Sequence, residues 1–105
     1  MADRHPDESL ELRRLRRKID ALDRRIVGLL NDRAALGREV GRAKLAAGRR
    51  AVTDTERERE VLLRVSMANA GPLPQAEVLA IYRRLIAATK ALEARDRKRA
   101  EPTDG

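Results

Sequence analysis

Apolar side chains recur three and four residues apart from Leu12 through Leu15, Ile19, Leu22, Ile26 and Leu29, and again at Leu36, Val40 and Ala43. That spacing returns to one face of an α-helix, and no proline interrupts it, so a single helix is predicted from Leu10 to Ala47. At the rise of an α-helix it forms a rod of about 55 Å. Such a rod cannot bury its own stripe and needs a partner, either the rest of the chain or a second copy of it. Gly48-Arg49-Arg50-Ala51-Val52 then breaks the period. Thr53-Asp54-Thr55-Glu56-Arg57-Glu58 supplies N-cap residues followed by acids, with Thr-x-x-Glu spacings at Thr53/Glu56 and Thr55/Glu58. The second helix that starts there carries Val61, Leu62, Val65 and Ala68 on one face and stops before the turn Asn69-Ala70-Gly71-Pro72-Leu73-Pro74. A third runs from about Gln75 with Val78, Ile81, Tyr82, Leu85, Ile86 and Leu92 as its stripe. There is no strand alternation and no internal repeat, so the fold class is all-α, with one very long, one short and one medium helix.

The ends of the chain differ from this middle. Residues 1–9 read as a polar, disordered tail, 10–95 as one helical domain, and 96–105 as a charged C-terminal tail that frays.

Each predicted helix has a polar residue at a position its own stripe assigns to the inside. Arg33 follows Leu29 by four and precedes Leu36 by three; Glu58 precedes Val61 and Leu62; Thr89 follows Leu85 and Ile86; Glu93 lies four residues further along. Taken singly, an arginine can snorkel out of a seam and a glutamate can cap a helix. Taken together, the four interruptions point to one shared polar pocket, because unpaired buried charges cost several kcal/mol each. Arg33 and Lys44 are roughly 16 Å apart along a helix axis, so two long cationic side chains leaning together can grip a small anion. Arg16 shares the heptad phase of Lys44 but lies about 25 Å from Arg33 on a straight helix, and it could join the site only from a second, antiparallel chain.

Composition sharpens this picture. Charged residues make up 39% and aromatics 1%, so the core must be aliphatic. The net charge is +7, and residues 12–93 alone carry 19 Lys/Arg against 10 Asp/Glu, so the expected ligand is an anion. Nucleic acid is disfavoured: there is no aromatic stacking platform, no glycine-rich basic arm and no zinc-ligand spacing. The absence of Cys, of a signal-peptide pattern and of any membrane-length apolar segment makes a soluble cytoplasmic protein the expectation. The lone His5 lies in the N-terminal tail, and nucleophilic or metal chemistry has no candidate residues, so no metal is expected. Arginines, a lysine, a hydroxyl and two carboxyl groups suit binding a dicarboxylate and stabilising charge that develops during a reaction.

The run LRRKIDALDRRIVGLLNDRAALGREVGRAKL, followed after a short loop by DTERERE, closely resembles the all-helical class of chorismate mutases over residues 12–93. The resemblance implies an intertwined helical homodimer that rearranges chorismate to prephenate in Phe and Tyr biosynthesis, with no cofactor and no covalent intermediate. It implies that Arg16, reaching in from the partner chain, and Arg33 clamp the substrate carboxylates, and that Lys44 contacts the ether oxygen of the breaking bond and a carboxylate. Asp54, Arg57 and Glu58 match residues that bind around the substrate hydroxyl and order the site. Thr89 matches a small hydroxyl residue at a carboxylate, and Glu93 matches the Gln or Glu facing the ether oxygen. No effector domain is visible beyond the stretch that carries the resemblance, so a monofunctional enzyme is expected; control through another shikimate-pathway enzyme stays open. The alternatives are an isochorismate pyruvate-lyase on the same scaffold and a non-catalytic basic dimerisation, regulatory or nucleic-acid-binding module.

Overall fold

The computed structural model describes residues 9–49 and 54–100. Within them the chain forms three helices, α1 (Leu10–Ala46), α2 (Thr55–Ala68) and α3 (Gln75–Ala100), and no strand. The all-α reading of the periodicity therefore holds. Residues 1–8 and 101–105 of the two tails, and Thr53 with its proposed capping box, lie outside the described residues.

Local chemistry accounts for each boundary. Ser9 opens α1, its Oγ accepting the Leu12 backbone N–H at 3.1 Å. At the other end Gly48 adopts φ 78°, its N–H reaching the Leu45 carbonyl at 3.0 Å while that of Arg49 reaches the Lys44 carbonyl at 2.9 Å. This is a Schellman close, and the left-handed residue it needs favours glycine. The N-cap of α2 is Asp54, whose Oδ1 accepts the Arg57 N–H at 3.1 Å. Thr55 is already the first helical residue, so the Thr55/Glu58 capping box suggested by the spacing does not form. The turn after α2 is organised by Asn69, whose Nδ2 donates to the Leu73 carbonyl at 3.1 Å and to Gln75 Oε1 at 3.0 Å and whose Oδ1 accepts from the Gly71 N–H. Gln75 Nε2 in turn donates to the Ser66 carbonyl, closing α2 onto α3 as a helical hairpin.

The chain divides into two compact units, Met1–Asp32 and Arg33–Gly105. In the first, the apolar stripe of α1 is open to solvent: Leu15 is 43% exposed, Ile19 55%, Leu22 51% and Ile26 50%. The second unit contains the end of α1 with α2 and α3, and among the described residues Ile86 is its only buried large hydrophobic side chain. Val61, Leu62, Val65, Tyr82 and Leu85 are half-buried around it, whereas Ile81, expected in the α3 stripe, is exposed. α3 also continues to Ala100, past the boundary at 95 suggested by composition. The reason is an ion pair: Arg38 grips Asp96 at two points, Nε to Oδ2 at 2.8 Å and Nη2 to Oδ1 at 2.9 Å, and so ties this charged stretch to α1.

Candidate active site

Two glycines one helical turn apart govern how α1 meets α3. A Cβ built on Gly37 would run into the Thr89 methyl, and one built on Gly41 would lie 3.0 Å from Glu93 Cγ. Thr89 and Glu93 are likewise one turn apart, so the two pairs advance together and this part of α1 runs parallel to α3. Any larger residue at 37 or 41 would hold the two side chains off. As it is, Thr89 and Glu93 are each only 7% exposed, the buried polar side chains of the described chain.

Beside this seam is a half-open cleft of about 310 Å³, a size suited to a small molecule. Arg33, Lys44, Asp54, Arg57, Glu58, Thr89 and Glu93 all line it, together with Leu36, Gly37, Val40, Val61, Ile86 and Lys90. The four polar residues that interrupt the stripes thus meet in one place, on three helices. Arg16 belongs to the first unit and is not among the lining residues.

The individual contacts show what each group can do. Arg33 lies with its guanidinium carbon 5.7 Å from the centroid of the Tyr82 ring, which supports the cation from one side. Glu93 has its Oε2 buried with no hydrogen-bond partner among the described residues. A buried carboxyl oxygen without a partner is costly, and a ligand group or a proton at that position would relieve the cost. Glu58 accepts from Lys90 Nζ, which lies 3.4 Å from both carboxyl oxygens. Asp54 is engaged as the α2 cap, with its Oδ2 3.7 Å from Arg49. Arg57 donates to Glu60 at 3.0 Å from the rim. The Thr89 hydroxyl donates to the Leu85 carbonyl at 3.0 Å, so meeting a carboxylate as a donor requires it to turn away from its own helix.

Next to the seam, the hydrogen bond from Arg38 holds the Asp96 carboxyl below its ordinary value of 3.8, against the opposing effect of partial burial; the charges of Arg38, Arg42 and Arg99 add to the lowering. The same hydrogen bond raises Arg38.

Pattern reading missed Gly37, Gly41 and Lys90. The glycines carried a signal, a Gly-x-x-x-Gly spacing matching that of Thr89 and Glu93, although only the packing shows which helix comes close. Lys90 carried none, because a lysine beside a stripe reads as solvated charge.

A family model described as chorismate mutase type II matches residues 15–94. Among curated proteins, the bifunctional chorismate mutase/prephenate dehydratase of Aquifex aeolicus is 38% identical over 87 residues, covering 79% of this chain and 24% of that protein. The protein of the same name from Stutzerimonas stutzeri is 37% identical over 90 residues, covering 82% and 25%. This chain therefore spans about a quarter of the length of these relatives. Among solved structures, form II of the chorismate mutase from Thermus thermophilus superposes with a TM-score of 0.76 at 30% identity, over 81% of this chain and 96% of that one.

Proposed function

This chain belongs to the chorismate mutase type II family, and we propose that it rearranges chorismate to prephenate in the cleft formed by Arg33, Lys44, Glu58 and Glu93. One observation carries the reading. Side chains that fit one carboxylate, the hydroxyl and the ether oxygen of chorismate line one cleft, and Glu93 brings to it a buried oxygen that has no hydrogen-bond partner among the described residues.

The reaction is unimolecular. A carbon–carbon bond forms while the ether carbon–oxygen bond breaks, so no nucleophile, base or cofactor is required and the protein has two tasks. The first is to hold the enolpyruvyl arm over the ring, which replaces a rare conformer in solution with a prepared one. Arg33, steadied by Tyr82, takes one carboxylate, and Glu58 accepts from the ring hydroxyl. The second task is electrostatic. Negative charge grows on the ether oxygen as the bond stretches; Lys44 donates to it, and Glu93 stands beside it on α3. Asp54 contributes by fixing the start of α2, and hence the position of Glu58 one turn on. Arg57 and Thr89 approach the substrate by turning from Glu60 and from the Leu85 carbonyl.

The active form in this reading is a homodimer. Leu15, Ile19, Leu22 and Ile26 repeat at coiled-coil spacing and are about half exposed in one chain, a face that a second copy covers. In this reading an antiparallel partner also brings in the second carboxylate clamp, Arg16 of the partner subunit. Among the described residues no helix is long and apolar enough to cross a membrane; the proposed location is the cytoplasm.

The test is to incubate purified protein with chorismate, follow substrate loss by ultraviolet absorbance and identify the product. Prephenate at a rate well above the uncatalysed one is expected. Failure to consume chorismate, with pyruvate released from isochorismate instead, would establish the lyase.

A further inference from the structure

Lys90 lies in the wall of the cleft and is outside every role assigned so far. It follows Thr89 and precedes Glu93 by three residues on α3, so two neighbours packed against α1 fix its backbone. Its ammonium reaches across to α2 and lies 3.4 Å from both oxygens of Glu58. Both side chains are half-buried, at 34% and 29% exposure, so the pair is better shielded from solvent and salt than an ordinary surface bridge.

We infer that Lys90 is a positioning residue: it orients the Glu58 carboxylate toward the substrate hydroxyl and offsets its charge against the dianion. This rests on the functional reading above. A glutamate on the first turn of a helix has three rotatable side-chain bonds, and an acceptor that must meet one hydroxyl gains from having its direction set in advance. An ammonium equidistant from both oxygens fixes the direction of the carboxylate's axis. At 3.4 Å the contact is long, with room to tighten when substrate closes the cleft. Charge points the same way. The lining contains four cations, Arg33, Lys44, Arg57 and Lys90, against the carboxyl groups of Asp54, Glu58 and Glu93. Without Lys90, Glu58 loses the cation 3.4 Å from its oxygens and presents its negative charge to an anionic ligand.

The experiment is a double-mutant cycle measured on chorismate. Lys90→Met should raise KM about tenfold with kcat changed less than about threefold, and Lys90→Arg should recover most of the loss. In a Glu58→Gln background, where there is no carboxylate to orient, Lys90→Met should change KM less than about twofold. Should Lys90→Met fail to fold, Lys90→Gln supplies the same comparison. Losses that multiply across the cycle, or a Lys90→Met enzyme indistinguishable from wild type, would overturn the inference while leaving the functional reading intact. A wild-type protein inactive on chorismate would overturn both.

Discussion

Gly41 and Glu93 are in contact across the α1–α3 seam, with the space for a Cβ on the glycine ending 3.0 Å from Glu93 Cγ. The carboxyl proposed to act on the ether oxygen is thereby held against bare backbone, where its position depends on the absence of a side chain opposite. Gly41→Ala should lower kcat by about tenfold or more, because a shift of a few tenths of an ångström in Glu93 misaligns its donor. Steady-state kinetics measure this, and full activity in Gly41→Ala would mean that Glu93 need not be held so closely.

Gly37 tests the same seam through stability. Alanine in a helix interior is favoured by about 1 kcal/mol over glycine, yet here its methyl meets that of Thr89, and overpacking costs about 1–3 kcal/mol. The clash should win, leaving Gly37→Ala less stable in urea unfolding. Adding Thr89→Ser removes the opposing methyl and should restore most of the loss.

The Arg38–Asp96 pair predicts how the fold responds to acid. Because Asp96 titrates below its ordinary value in the folded chain, its contribution is fully present above the unfolded value of 3.8 and is lost as pH falls through the lower folded value. Asp96→Asn should therefore reduce stability at neutral pH and weaken the acid dependence below about pH 4. A variant whose unfolding midpoint follows that of the wild type at every pH would show that the pair does not tie α3 to α1.

Arg33 separates stability from function. Arg33 is half-buried with its guanidinium beside Tyr82, and an aliphatic replacement loses that contact while suiting the slot between Leu29 and Leu36. Arg33→Leu should leave unfolding free energy within about 1 kcal/mol of wild type and lower kcat/KM by about a thousandfold. Strong destabilisation of the substrate-free protein would give Arg33 a structural task as well.

Much of this was legible in the chain. The three-helix pattern followed from spacing, and Arg33, Glu58, Thr89 and Glu93 stood out because each broke a stripe. What escaped depended on partners distant in sequence. Arg38 and Asp96 are 58 residues apart, and a stretch such as ARDRKRA reads as solvated until its anchor is seen. The α2 cap fell on Asp54 because Thr-Asp-Thr offers three capping residues in a row, and tertiary position, not propensity, selects among them.

The central claim is a cleft lined by one chain and completed by another. Arg16→Ala and Arg33→Ala, each nearly inactive alone, can be unfolded together in equal amounts and refolded, and prephenate formation then measured. Half of the resulting dimers are mixed, and each has one site with both arginines intact, so about one quarter of wild-type activity should return. Confirmed heterodimers that stay inactive would contradict the account, since each chain would then have to furnish both clamps itself.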